Sequence, residues 1–490
     1  MHKHKYSIPD YIKELKKIAM DACYDENIER SFQAISACAQ ILYKCNQTYK
    51  DDELERIIYS ISEKTIKFSN WKVESGKRKK ILFYDGFGLD RRGIAIVMNK
   101  AICLNGYKLI YVSPLKNKDK QPTLRRVLKP FDVEWKFVDN KGTFCNEITQ
   151  LRDIFEEAKP NLAYFYTYPN DVSGTIVFDA LKGKCFRYLL DLTDHAFWLG
   201  LNAFDICNGG RQFSASIQHF YRDISLEKIS LLDANLYIDD CEFHGLPFDE
   251  NHRFVFSGGQ LYKTLGDSKN TFYKIVEHIL ANHKDIKFLY AGYGDEKQIR
   301  ILMEKFPKRI FLISERPDFF QIMERCTFYL NTYPMFGGLM MRYAALAGKL
   351  PLTLKHDNDS DGILIEQKKR KIEYESLDDL LEDIDRLLDD KSYLQEREKL
   401  LKGAVITEEC FVRNIRMMVE EHRTEFSYDK VERVDTTRFR KEYLERFTYE
   451  DIVKSIATRR NKKLIKYFPK EFISMIYYKM KKGVCRNDTL

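Results

Sequence analysis

The sequence predicts an α/β protein made of two parallel sheets, each covered by helices. Three observations predict it. Short apolar runs alternate with helical stretches from about Arg78 onward, the alternation stops at a polar stretch holding Gly245 and Pro247, and it then begins again. Strands alternating with helices form a parallel sheet buried on both faces. A polar break with Gly and Pro reads as a linker between two such units.

The elements follow in chain order. Residues 8 to about 70 read as helices, because "IERSFQAISACAQILYKCN" and "DDELERIIYSISEKTI" space apolar residues three and four apart. Asp51 or Asp52 is placed to cap the second of these. No chemistry-bearing motif lies here, so a helical docking or packing module is expected. "KKILFYDGFGLDRRGIAIVMNKAICLNGYKLIYVSP" then reads as strand, glycine turn, helix and strand, and "VEWKFVD", "LAYFYTY", "FRYLLDL" and "NLYID" continue the first sheet. After the linker "CEFHGLPFDENHR" come "RFVFSGG", "IKFLYAGYG", "RIFLIS", "TFYLNTYP" and "LPLTL". Between the first two of these, Phe272, Ile275, Val276, Ile279 and Leu280 form one apolar helical face. The expected units are a helical segment at 1–75, Rossmann-like domains at 76–248 and 249–425, and a basic helical tail at 426–490. Such sheets bind ligands at the carboxyl ends of their strands, so two facing halves place those ends around one cleft.

Charge narrows the partners. The net charge of +8 resides in Asp451–Leu490, which holds eleven Lys/Arg against three Asp/Glu, whereas the other 450 residues balance at 70 of each sign. A neutral body disfavours nucleic acid, and the tail alone asks for an anionic partner. In "LIKYFPKEFISMIYYKMKKG", Phe472, Ile473, Met475, Ile476 and Met480 share a helical face flanked by lysines, which suits an anionic membrane surface, favoured over packing on the body because a membrane-borne acceptor would make it useful. Eleven scattered cysteines without a C-x-x-C pair, and an N-terminus without an apolar core, point to a reducing cytoplasm. No apolar run is long enough to span a bilayer.

Four stretches have the residue types for chemistry. "FSGGQLYKTLGD" ends the first strand of the second half; Gly258 and Gly259 free the backbone, and Lys263 can neutralise a diphosphate or simply face water. "NTYPMFGGLMMRYAALAGKLP" places Gly337 and Gly338 between a strand and a helix, where unpaired amides and the helix dipole attract phosphate. In "DLTDHAFWLGLNAFDICNGGRQF", Asp194 and His195 follow a strand of the first half; the pair can orient a sugar hydroxyl or act as a base, or can cap a helix with the histidine packed. "YDGFGLDRRGIA" lacks the G-x-G-x-x-G spacing, which argues against a dinucleotide. The acidic "KHDNDSDG" and "IDDC" lack metal-ligand spacing and read as solvated loops, so no metal site is expected.

From about Arg78 to Arg423 the chain resembles the GT-B glycosyltransferases. The resemblance rests on the order of "GFGLDRRGIA", "FVFSGGQLYKTLG", "IKFLYAGYG", "RIFLISERPDFF", "NTYPMFGGLMMRYAALAGKLPLTL" and "YESLDDLLEDIDRLLDD". The "TDHAFWLG…AFD" stretch is also similar to bacterial N-glycosyltransferases and O-GlcNAc-transferase-like enzymes. The resemblance implies transfer of a hexosyl group from a nucleotide-sugar donor, a UDP-sugar first among them, without an essential metal or a separate cofactor. The acceptor it implies is a glycan, a lipid-linked sugar or a protein. It places Lys263, Gly337 and Gly338 at the donor diphosphate, the loop around Glu315–Asp318 (with Arg316) at the base, and His195 opposite them in the cleft. Many family members carry a carboxylate five residues before the helix-ending glycine; Tyr343 stands there before Gly348, with Arg342 beside it as an alternative phosphate ligand. That departure keeps open a second expectation, an inactive GT-B-like subunit that binds an acceptor or a partner transferase.

Overall fold

A computed structural model describes residues 8–45, 48–71, 78–90, 93–356, 362–426, 428 and 430–445, together with 469, 470, 473 and 477. The acidic loop at 357–361 and almost all of the 451–490 tail, and with it the expected membrane surface, lie outside the described residues.

The first sheet has seven parallel strands in the order β3-β2-β1-β4-β5-β6-β7. They are β1 (Lys80–Asp85), β2 (Lys108–Pro114), β3 (Val133–Val138), β4 (Leu162–Tyr166), β5 (Phe186–Leu190), β6 (Ile206–Gly209) and β7 (Ile229–Leu231). The second sheet is ordered β10-β9-β8-β11-β12-β13, with β8 (Phe254–Gly258), β9 (Lys287–Ala291), β10 (Ile310–Ile313), β11 (Tyr329–Leu330), β12 (Pro351–Leu354) and β13 (Glu373–Tyr374). Both orders reverse direction beside their first strand, the doubly wound arrangement whose crevice lies beyond the carboxyl ends of the strands. Nearly every residue of β1, β2, β4 and β8 is buried, as strands covered on both faces must be.

The predicted run "NLYID" is not a strand. Residues 232–240 run as an extended connection: Tyr343 donates to the Tyr237 carbonyl across the domain boundary at 2.6 Å, and Asp239 pairs with Arg126. The sheet positions after β5 go instead to two short strands, β6 and β7.

The N-terminal helices Ile8–Tyr24, Ile28–Cys45 and Asp52–Thr65 share one continuous core with the first domain, joining Phe32, Ile35 and Leu54 to Phe155, Phe178 and Trp198. Asp51 caps the third helix by accepting from the Leu54 amide at 3.1 Å. The Glu408–Glu421 helix crosses back to the first domain, where Phe411, Ile415 and Met418 pack with Ile81 and Met98.

Candidate functional site

The two sheets meet at a cleft of about 300 Å³ lined from both sides. The first domain contributes Asp191, Asp194, His195, Gly210, Arg211 and Ser214; the second contributes Tyr262, Lys263, Phe336, Gly338, Leu339 and Arg342. Of the residues expected from the sequence, Asp194, His195, Lys263, Gly338 and Arg342 therefore converge on this cleft, whereas Gly258, Gly259, Gly337 and Arg316 do not line it.

On the second-domain side the backbone makes the site. β8 ends at Gly258, and Gly259 has φ +128°, a conformation that glycine alone adopts without strain. Its carbonyl lies so close to Gly292 that a Cβ there would meet the oxygen at 1.9 Å. The turn Leu261–Thr264 then presents Lys263, and the Lys263 carbonyl accepts from the Met335 amide at 3.1 Å, tying the two phosphate-type loops together. The Gly338–Leu346 helix starts at this junction. The Gly337 amide donates to Asn331 Oδ1 at 2.8 Å, so it braces the loop, and the open first-turn amides begin at Gly338. A Cβ at Gly338 would lie 2.8 Å from the outer side-chain atoms of both Ile363 and Phe336, so both would have to shift to admit one.

Arg342 and Tyr343 serve the domain boundary. The Arg342 guanidinium pairs with Asp233 Oδ1 at 2.5 Å and donates to the Ala234 carbonyl. Arg316 forms a two-pronged pair with Asp318, whose buried carboxylate also accepts from the His244 amide at 2.8 Å. Burial would raise the Asp318 carboxyl, but the Arg316 contacts hold it below its usual range.

On the first-domain side, side chains make the site. Asp194 is buried and bound by Arg211 through Nε at 2.8 Å and Nη2 at 2.9 Å, and by Ser214 Oγ at 2.6 Å. Burial pushes its carboxyl up, yet the Arg211 charge outweighs that and holds it well below the usual carboxylate range. His195 Nδ1 lies 3.5 Å from Asp194 Oδ1. The Arg211 guanidinium is packed between Phe213 and Phe336, with ring centroids at 4.5 and 4.7 Å, so it touches both domains. Beneath lies Asp191, which accepts from the Thr193 amide at 3.1 Å and from Gln218 at 2.9 Å. Fully buried Arg222 donates to the carbonyls of Thr193, Asp194 and Ala196 and stacks 4.4 Å from Trp198, fixing the backbone that carries the histidine.

Asp191, Arg211, Ser214 and Arg222 were not singled out from the sequence. The available signal was Gly209–Gly210 ahead of the Gln212–Phe220 helix, which repeats the Gly337–Gly338 arrangement in the other half. Among the described residues no cluster of His, Cys, Asp and Glu has metal-binding geometry, and no helix is long and apolar enough to cross a membrane.

This architecture is the GT-B fold. An O-GlcNAc transferase mutant from Thermobaculum terrenum superposes with a TM-score of 0.55 at 11% identity, over 90% of this chain and 85% of that one. A mutant of S. aureus TarM, in a complex with fondaparinux, alpha-GlcNAc-glycerol and UDP, superposes with a TM-score of 0.52 at 11% identity, over 70% of this chain and all (100%) of its own. A Listeria monocytogenes protein assigned as a UDP-N-acetylglucosamine 2-epimerase reaches 0.50 at 11% identity, over 71% of this chain and 97% of that one. No protein-family model matches the sequence, and no curated protein sequence does.

Proposed function

We propose that the protein is a glycosyltransferase that moves a sugar from a nucleotide-sugar donor to a glycan, lipid-linked or protein acceptor. The observation that carries this reading is the pairing in one cleft of Lys263 and the amide end of the Gly338–Leu346 helix with Asp194 and His195 from the opposite domain. As the glycosidic bond breaks, negative charge grows on the leaving diphosphate. A lysine and fixed amides at that place stabilise it without reorganising and without a metal. The loop carrying Arg316 is held rigid by Asp318 and is assigned to the base. His195, beside the carboxylate of Asp194, is assigned to the transferred sugar and the acceptor hydroxyl. UDP-sugars are the first donors to test, since the TarM structure of the same fold contains UDP. The basic 451–490 tail is assigned to an anionic membrane surface on the cytoplasmic side.

The test is turnover of UDP-glucose, UDP-galactose and UDP-N-acetylglucosamine by the purified full chain, with Lys263→Ala in parallel. Release of UDP from one donor, reduced by about 10²- to 10³-fold in Lys263→Ala, is the expected result. No turnover of any nucleotide sugar, and no nucleotide binding by calorimetry, overturns it. One observation favours the second reading, a non-catalytic subunit. Tyr343, standing where relatives in the resemblance carry a carboxylate, is spent on the Tyr237 carbonyl. Co-purification of an active partner transferase together with absent nucleotide binding decides for that reading.

A further inference from the structure

The segment after the second domain returns to the cleft. Residues 430–445 cross the first domain: the Lys430 carbonyl accepts from Gln212 Nε2 at 2.6 Å, the Val434 amide donates to Ser216 Oγ at 3.0 Å, and the Val434 carbonyl accepts from Tyr221. These contacts run along the Gln212–Phe220 helix, which follows directly on Arg211, the partner of Asp194. The Thr437–Glu445 helix then begins. Arg440 lies over Tyr49 of the N-terminal segment at 5.6 Å, and Arg438 Nη2 donates to Tyr333 of the second domain at 2.7 Å. Between these anchors Phe439 is inserted with 1% of its surface exposed.

The ring of Phe439 stands edge-on to His195 from one domain (centroids 6.3 Å, 87°) and to His356 from the other (6.2 Å, 72°), and it packs on Met335. His356 in turn meets Tyr333 at 5.6 Å, the residue that Arg438 holds. A line of ring contacts thus connects the second-domain loop before Gly337 to the first-domain histidine. Phe439 is one wall of the cleft and leaves its volume of about 300 Å³ open.

We propose that Phe439 is a positioning residue: carried into the cleft by the 430–445 segment, it fixes the imidazole of His195 against the donor-side loop, so the site is complete only with this segment in place. The inference rests on the role given to His195 above. Backbone contacts from Arg222 fix where the histidine starts, but its half-buried ring is held on this side by Phe439. A reacting group displaced by about 1 Å can cost about 10²-fold in rate.

Phe439→Leu keeps apolar volume and removes the ring; Phe439→Met is the second variant should the first not fold. Two readouts apply to the full chain. The first is the histidine Cε1–H NMR spectrum without ligand, with the His195 signal assigned through His195→Gln. The second is release of UDP from UDP-N-acetylglucosamine, resolved into kcat and KM. The expected result is a His195 signal displaced by more than loss of the phenyl ring current alone produces and kcat lower by about 10- to 10²-fold with KM within about twofold. A His195 signal and kcat equal to those of the wild type overturn the proposal. A rise in kcat also overturns it, because the segment would then obstruct the cleft. The two layers separate cleanly: undiminished turnover by His195→Gln removes the role of His195 in the reaction, whereas an unmoved His195 signal in Phe439→Leu removes the positioning by Phe439.

Discussion

The two walls of the cleft are built from different material. The second-domain wall joins a first helical turn opening at Gly338 to Lys263 and apolar side chains such as Phe336 and Leu339, with the left-handed Gly259 shaping the loop behind it. The first-domain wall is a buried network of charged side chains, Asp194 with Arg211 and Ser214 above, Asp191 with Gln218 and Arg222 below. Backbone amides hold an anion at no cost in buried charge. Buried ion pairs carry a desolvation penalty and persist where geometry is closely matched. Under the function proposed above, leaving-group binding falls to the first kind of wall and the holding of one reactive orientation to the second.

The largest effect is expected where that network is cut. Arg211→Ala leaves Asp194 buried without its counter-charge and should cost about 3–5 kcal/mol of stability, read as a drop in denaturation midpoint. The pH dependence has a definite sign. The folded Asp194 carboxyl lies below its unfolded value, so its contribution is present above the unfolded pKa of about 4 and is lost as pH falls below it. Arg211→Ala should therefore lose the wild type's added stability at neutral pH and resemble it more closely in acid. Equal stability of the two at pH 7 would break the comparison.

Next comes the backbone wall. Gly338→Ala must push both Ile363 and Phe336 aside and should cost about 1–3 kcal/mol, with weaker nucleotide binding by calorimetry. An unchanged melting curve would show that the loop has slack, against the close packing described here.

A comparable effect is expected at the N-terminal helices. Glu55 accepts from the amides of Gly200 and Leu201, both at 2.9 Å, just beyond the His195 segment, and burial pushes its carboxyl up to about 7. The unfolded group titrates near 4, so between about pH 4 and pH 7 the folded state binds more protons and stability falls as pH rises. The fall should total about 3–4 kcal/mol in this window, and Glu55→Gln should flatten it. Parallel pH–stability curves for the two proteins would discount this carboxyl as a link between the helical segment and the cleft. The smallest effect is at the boundary between the walls: Tyr343→Phe loses one hydrogen bond to Tyr237 and should cost about 1 kcal/mol.

Much of the fold was legible because its signals are local. Apart from "NLYID", each apolar run from "KILFYD" to "LPLTL" contains a strand, and Asp51 caps the helix it precedes. The reading failed at the far side of the first sheet, where β6 and β7 have four and three residues and β6 carries a buried Asn208. β10 and β12 are no longer than β6 but lie in apolar runs, whereas "ICNG" is broken by Asn and Gly, and "NLYID" displayed an apolar run without a sheet position to fill. At the site, the glycine stretches were visible because glycine before a helix has few other uses. Arg211 carries no local signal, since only folding places it 2.8 Å from Asp194, seventeen residues earlier.

By itself the sequence determined the alternation of strands and helices, the break into two halves and the backbone chemistry of the glycine loops, because each depends on neighbours within a few residues. The tertiary structure decided which charges meet. It spent Gly337, Arg316 and Arg342 on bracing, joined Asp194 to Arg211, and brought Phe439 back across both domains to His195. Those outcomes depend on distances between residues tens to hundreds of positions apart, and packing alone sets such distances.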